Sequence, residues 1–235
     1  MLTIPANINL KRSKKAERLF LGRLRKWLEE EKRSDGIHAS ELLDPRMGYW
    51  SRNKPKPLTD REVMMFSIGK GYHERFLPGI GSDSGQKVSS ELGIEYSPDE
   101  IRESVPRELK TTRSFYAPKT QRDIELYLEQ LQIYMVAEKS SNGGLDVIYL
   151  NLKDKKGKTC PAVRSYSIEY TDKQLEQVFN EIKETVALIQ VAQAHKTPEI
   201  LPLCRSFKCG LDCKWWEDCK PEGRYPEEGK RKWSV

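Results

Sequence analysis

The chain has 235 residues, enough for one domain with a real core, or one domain with appendages. Hydrophobic residues make up 37% and charged residues 32%, with 13 prolines and 15 glycines, which excludes collagenous, low-complexity and wholly disordered classes. The net charge of +6, from 41 basic and 35 acidic residues, permits nucleic acid as a partner without requiring it.

No apolar run approaches the roughly 20 residues needed to cross a bilayer. The opening Met-Leu-Thr-Ile-Pro turns strongly charged by Lys11, which does not read as a signal peptide. The expectation is a cytoplasmic protein with no membrane partner. Four of the five cysteines fall between Cys204 and Cys219, and Cys160 stands apart. Without a secretory signal, such a cluster suits a metal better than a disulfide framework.

In chain order, the first ten residues read as a loose arm. Residues 14–33 predict a helix with Ala16, Phe20, Leu24, Trp27 and Leu28 on one face. Ala39 to Leu43 predicts a short helix closed before Pro45, and residues 53–57 a linker. Thr59 with Glu62 predicts a capping box for a helix over 60–77, with a stripe through Phe66, Gly69, His73 and Phe76.

Residues 78–90 read as a glycine- and serine-rich loop. Strands follow near 91–97 and 104–111, separated by a turn at Pro98-Asp99-Glu100. A helix is expected over 119–138, a central strand over 145–152, and a half-buried strand over 162–170. Thr171 with Gln174 caps a long helix to about 195, its core stripe running through Leu175, Val178, Phe179, Ile182, Val186 and Ile189. This order predicts an α/β fold, a mixed sheet with helices on its faces. Three regions are expected: an N-terminal helical region and linker over 1–57, a core over 58–198, and a cysteine segment with a polar tail over 199–235.

The chemistry concentrates in Ser97-Pro98-Asp99 and in Pro106-Arg107-Glu108-Leu109-Lys110-Thr111-Thr112. Glu108 and Lys110 are two apart on a strand and share a face, and a tight turn would bring Asp99 to them. Two such carboxylates suit a hard divalent cation, and a lysine beside them can orient a water or stabilise charge on a phosphate. Either motif alone is a commonplace of charged proteins. Further pieces follow in order: Gly69-Lys-Gly-Tyr-His73-Glu on a helix before Asp99, and Gln130-Leu-Gln-Ile-Tyr134 on a helix after Lys110. Alone, His73 reads as a core histidine, and Gln130 with Tyr134 as ordinary helix packing. His38 and His195 read as surface or structural residues.

The ordered set, over roughly residues 38 to 220, resembles the PD-(D/E)XK nuclease superfamily. It looks most like the RecB-type branch, which contains the CRISPR-associated adaptation exonuclease and the iron–sulfur nuclease domains of recombination helicases. The resemblance implies a restriction-endonuclease-like core and a Mg²⁺- or Mn²⁺-dependent nuclease, acting on DNA that is single-stranded or has free ends. By that likeness His73, Asp99, Glu108 and the carbonyl of Leu109 would hold the metal, and Lys110 would be the catalytic lysine. Gln130 and Tyr134 would support the site and contact DNA. CRISPR adaptation or recombination proteins are the partners it suggests; oligomeric state is not readable.

Cys204-x4-Cys209-x3-Cys213-x5-Cys219 supplies four thiolates, which suit zinc or an iron–sulfur cluster. The spacing differs from the paired cysteines of zinc ribbons, and the resemblance favours a [4Fe–4S] cluster, with Zn²⁺ the alternative. The iron–sulfur nucleases usually take one ligand from the N-terminal region, where this chain carries Asp44; Cys204 would then be the fourth ligand, and Cys160 would stand outside. Lys54, Lys56, Arg107, Lys110, Arg113, Lys119 and Arg122, with Phe115 and Tyr116, form the expected DNA surface. A rival reading from another class is a non-enzymatic nucleic-acid-binding module built around the cysteine knot. It accounts for the cysteines and the charge, and leaves the acid and lysine motif unexplained.

Overall fold

The computed structural model describes residues 13–29, 34–76, 85–118, 121–204 and 213–219. The chain divides into two compact units: Met1–Ser34 with Pro57–Gly71, and Asp35–Lys56 with everything from Tyr72 onward. None of the described helices is long and apolar enough to cross a membrane.

The smaller unit contains helix α1 (Lys14–Glu29) and most of helix α4 (Asp60–Phe76). Arg25 joins them by donating to Asp60 Oδ1 at 2.6 Å and to the Leu58 carbonyl at 3.0 Å. The Lys70 ammonium lies 5.1 Å from the Trp27 ring centroid. The expected capping box is present, with Glu62 N–H donating to Thr59 Oγ1 and Thr59 N–H to Glu62 Oε2. The expected stripes are only partly buried. Leu24, Trp27 and Leu28 are half-buried but Phe20 is exposed, and on α4 Val63 is buried while Phe66 is 50% exposed. The reason is scale: two helices offer little interior, and no residue of α1 is fully buried.

The larger unit is built on a four-stranded mixed sheet in the order β3 (Glu100–Arg102), β4 (Val105–Thr112), β5 (Asn142–Lys153), β6 (Thr159–Glu169). β4 and β5 are parallel and the other pairs antiparallel. A parallel pair needs a crossover, which helix α5 (Glu125–Ala137) supplies. Its Leu131 and Met135 form one core cluster with Leu145, Val147, Tyr149 and Leu152 of β5. The helix packs so closely on the strand that a Cβ on Gly143 would stand 2.6 Å from Met135 Sδ, so a side chain there would force Met135 and Leu131 to repack.

α5 also buries Ile133 and Tyr134 in a second cluster with Ile182, Val186, Ile189 and Ala192 of helix α6 (Asp172–His195). Being covered on two sides, α5 carries no single apolar stripe. Of the predicted stripe, α6 buries Ile182, Val186 and Ile189 and leaves Leu175, Val178 and Phe179 half-buried; it starts at the predicted capping box, Gln174 N–H donating to Thr171 Oγ1 and Thr171 N–H to Gln174 Oε1. The mixed sheet with helices expected from the sequence is the architecture found.

Its details differ in three places. The strand near 91–97 is short, β2 (Ile94–Tyr96), and pairs with β1 (Lys87–Ser89) in a separate two-stranded ribbon. Glu100 heads strand β3 rather than lying in a turn. Glu103 and Ser104 take positive φ (51° and 65°), which closes a two-residue hairpin between Arg102 and Val105 and lets so short a strand pair. Helix α3 (Pro45–Asn53) follows the short helix α2 (Ala39–Leu42) in a stretch with no predicted element. Pro45 suits its first turn, and buried Arg46 anchors it by donating to the carbonyls of Glu199 and Leu201.

Candidate active site

The period of two along β4 separates its side chains between the sheet faces. Glu108 and Lys110 face α5, where the Lys110 ammonium donates to Gln130 Oε1 at 2.9 Å. Gln130 Nε2 donates to the Tyr134 hydroxyl at 2.7 Å, so both ends of its amide are engaged. Tyr134 is itself buried, its ring 6.3 Å from that of Tyr96. A chain of hydrogen bonds therefore runs from the second core cluster to the lysine.

Asp99 reaches the same strand from the β2–β3 connection. Its Oδ2 accepts from the Leu109 N–H at 2.6 Å, and its Oδ1 accepts from His73 Nδ1 at 3.0 Å. His73 sits in the last turns of α4, in the part that belongs to the larger unit. The Asp99 bond raises the histidine pKa above its ordinary 6.5, against the opposing effect of burial.

Glu108 is the most enclosed acid of the group, with 2% of its surface exposed. Its Oε1 pairs with the Lys110 ammonium, and its Oε2 is buried with no hydrogen-bond partner among the described residues. Burial pushes the carboxyl up to about 7, more than Lys110 pulls it down. Burial lowers the Lys110 pKa, but Glu108, Asp99 and Tyr127 raise it on balance. The ammonium stays charged.

The structure thus brings His73, Asp99, Leu109, Glu108, Lys110, Gln130 and Tyr134 into one connected neighbourhood. As the side chains stand, no three His, Cys, Asp or Glu residues among those described form a group that could hold a metal ion. Asp99 is turned to His73 and the backbone, and Glu108 to Lys110.

Of the cysteines, Cys204, Cys213 and Cys219 line one small cavity with Met47, Trp50 and Trp215; Cys209 lies outside the described residues. Asp218 holds this segment down by pairing with Lys54 and Lys56, each at 2.7 Å, and Trp215 Nε1 donates to the Lys54 carbonyl at 2.8 Å. Asp44 is buried at the start of α3 and is not among the described residues that line the cavity. Cys160 is exposed on β6.

The expected DNA surface is distributed differently. Lys54 and Lys56 are engaged by Asp218, and Arg107 points to the opposite sheet face, where it pairs with Asp146 at 2.6 Å. Lys119 and the side chain of Arg122 lie outside the described residues. Sequence reasoning missed Lys153, whose ammonium lies 5.2 and 5.5 Å from the ring centroids of Phe115 and Tyr116. It ends β5 beside the aromatic loop.

The fold is shared with the solved structure of SSO0001, at a TM-score of 0.55 and 18% identity over 91% of this chain and 98% of that one. Looser likenesses extend to two exonucleases. A phage related exonuclease from Haemophilus somnus 129PT has 14% identity over 68% of this chain and 96% of its own, with a TM-score of 0.44. The alkaline exonuclease LHK-Exo from Laribacter hongkongensis has 16% identity over 78% and 97%, with a TM-score of 0.42. No family model and no curated protein matches the chain. At this identity the first likeness speaks for the fold alone, and the other two are too loose to speak for that. The chain is an α/β protein with a mixed four-stranded sheet flanked by helices.

Proposed function

We propose that the chain is a Mg²⁺- or Mn²⁺-dependent nuclease that hydrolyses phosphodiester bonds in DNA, single-stranded or with free ends. The observation that carries this reading is Glu108: a carboxylate buried beside a half-buried ammonium, with one oxygen left without a partner among the described residues. Leaving such an atom unsatisfied is costly, and a hard cation is the partner its chemistry suits. Asp99, tied to the next residue of the same strand, and His73, tied to Asp99, fit the same role. In the metal-free protein a proton substitutes for the cation, which agrees with the raised pKa values of Glu108 and His73.

Glu108, Asp99, His73 and the Leu109 carbonyl would hold the ion, which when bound polarises a phosphoryl oxygen and acidifies water. Lys110 orients the attacking water and offsets negative charge building on the phosphate. Gln130 fixes the ammonium, and Tyr134 fixes Gln130. The cysteines add a second centre. We assign Cys204, Cys209, Cys213 and Cys219 to one structural [4Fe–4S] cluster, with Zn²⁺ as the alternative; the assignment rests on the spacing of the four cysteines, three of which line one cavity. The finer placement, among RecB-type iron–sulfur nucleases with CRISPR adaptation or recombination proteins as partners, rests on the sequence resemblance.

Digestion of end-labelled single- and double-stranded DNA tests the reading, with Mg²⁺, Mn²⁺ or EDTA, for the parent, Asp99→Ala and Lys110→Ala. Cleavage should need the cation and vanish in both variants. Cleavage at the parental rate in both would overturn the assignment and favour a binding module.

A further inference from the structure

The α5-facing side of the sheet continues past Lys110. Thr112 lies two residues further along β4, on the same face, and Tyr127 stands one helical turn before Gln130 on α5. There a cavity of about 440 Å³ opens, lined by Thr112, Tyr116, Pro118, Asp123, Tyr127 and Tyr149 among others. That is the size of a small-molecule site, which runs from about 300 to 1,000 Å³. Tyr127 joins it to the candidate active site, being close enough to interact electrostatically with Lys110.

Beside it stands a built platform, of which Tyr116 lines the cavity. Phe115 and Tyr116 are 47% and 62% exposed, an unusual place for two adjacent large rings. Both lie within cation–π reach of the Lys153 ammonium, and Lys153 N–H donates to the Phe115 carbonyl at 2.8 Å. Ser114 closes the loop, its hydroxyl donating to the Tyr116 carbonyl at 2.8 Å and accepting from the Tyr116 N–H at 3.2 Å. The rings are therefore held in place before any ligand arrives, and little ordering entropy remains to be lost on stacking.

We propose that this cavity receives one unpaired nucleobase of the strand whose backbone reaches Lys110. The inference rests on the nuclease reading and adds to it a subsite for one base of a single strand or of a frayed duplex end. Tyrosine faces stack on any base, the Asp123 carboxylate accepts base N–H groups while repelling phosphate, and the ammonium of Lys110 attracts the backbone. A base still paired and stacked in a duplex cannot enter.

The test is strand binding in EDTA, where nothing is cut. An abasic residue is walked along a labelled single-stranded oligonucleotide, and each strand is titrated with the parent, Tyr116→Ala and Tyr116→Phe. Because Tyr116 is exposed and its loop is held by Ser114 and Lys153, the variants should keep the parental circular dichroism. Removing one base should weaken parental binding by about tenfold at a single position. Tyr116→Ala should weaken binding of the intact strand by about as much and be indifferent to that abasic residue, while Tyr116→Phe behaves as the parent. Equal binding of all abasic strands, or penalties that simply add in Tyr116→Ala, would overturn the proposal. Coupling without cleavage under any divalent ion would sink the nuclease reading and leave the pocket, and cleavage without coupling would sink the pocket alone.

Discussion

The Asp99 carboxylate accepts a hydrogen bond from the Leu109 N–H at 2.6 Å, and so takes the place of a missing strand. β3 ends its pairing at Glu100 opposite Arg107, which leaves the next N–H on that edge of β4 without a backbone partner. The same bond that completes the sheet fixes an acid beside Glu108. Asp99→Ala should therefore cost about 1–3 kcal/mol of stability, the penalty for an orphaned buried N–H, as well as abolishing cleavage. Asp99→Asn keeps an acceptor oxygen and should recover most of the stability with none of the activity. Denaturant melts beside DNA digestion check both halves.

Proton linkage at the site has a definite sign. Burial pushes Glu108 from 4.5 to about 7, and the Asp99 bond raises His73 above 6.5. Both groups hold protons more tightly folded than unfolded, so each loses stability as pH rises, Glu108 from 4.5 through about 7 and His73 from 6.5 upward. In EDTA the parent should lose Tm between about pH 5 and about pH 8 more steeply than Glu108→Gln does. Mn²⁺ should raise the Tm at the upper end of that range and have little effect at the lower, since protons and metal compete for the same atoms.

Gln130 acts through Lys110. Gln130→Leu removes the 2.9 Å bond that aims the ammonium and should lower kcat by about tenfold to a hundredfold while changing KM little. Gln130→Glu retains an acceptor for the lysine and should recover much of the rate. Equal loss in both variants would show that Gln130 serves only the packing of α5.

Anaerobically purified protein should be brown, with the broad visible absorption of thiolate-ligated iron. Cys204→Ser should bleach it and Cys160→Ser should not, because Cys204 lines the cavity shared by Cys213 and Cys219 while Cys160 is exposed on β6. A colourless protein containing one zinc and no iron would replace the cluster and leave the nuclease assignment intact.

Lys54 and Lys56 hold the Asp218 carboxyl below its ordinary range by hydrogen bonding to it. A lowered pKa stabilises above the unfolded value and is lost as pH falls through the folded one, so docking of residues 213–219 should loosen in acid. Asp218→Asn should bring the same loosening at neutral pH. Amide hydrogen exchange of that segment, with α6 as the internal reference, reads the difference.

Much of this architecture is local and was legible in the sequence. Capping boxes at Thr59–Glu62 and Thr171–Gln174 involve neighbours four positions apart at most, and both are in place. The alternation of β4 is equally local, and it puts Glu108 and Lys110 on one face without reference to the rest of the chain. The stripe of α6 needed only a helical period and one apolar neighbour.

What the tertiary structure alone decided is where those pieces meet. Alternation along β4 already puts Arg107 on the face opposite Lys110, but only the pairing of β4 with β5 sets Asp146 there to hold it. Glu100 looks like a turn residue, and becomes the head of β3 only because Glu103 and Ser104 adopt positive φ and close a hairpin. α3 lacks a recognisable stripe because Arg46 anchors it to carbonyls about 155 residues away in sequence, a contact with no local signature. Asp99 and Gln130 lie ten and twenty residues from the strand positions they bond, Leu109 and Lys110, and both distances close through backbone that folds back on itself. A side chain's chemical type is written in the sequence, but whether it pairs, ionises or stays without a partner depends on what the fold packs around it, as Glu108 Oε2 shows.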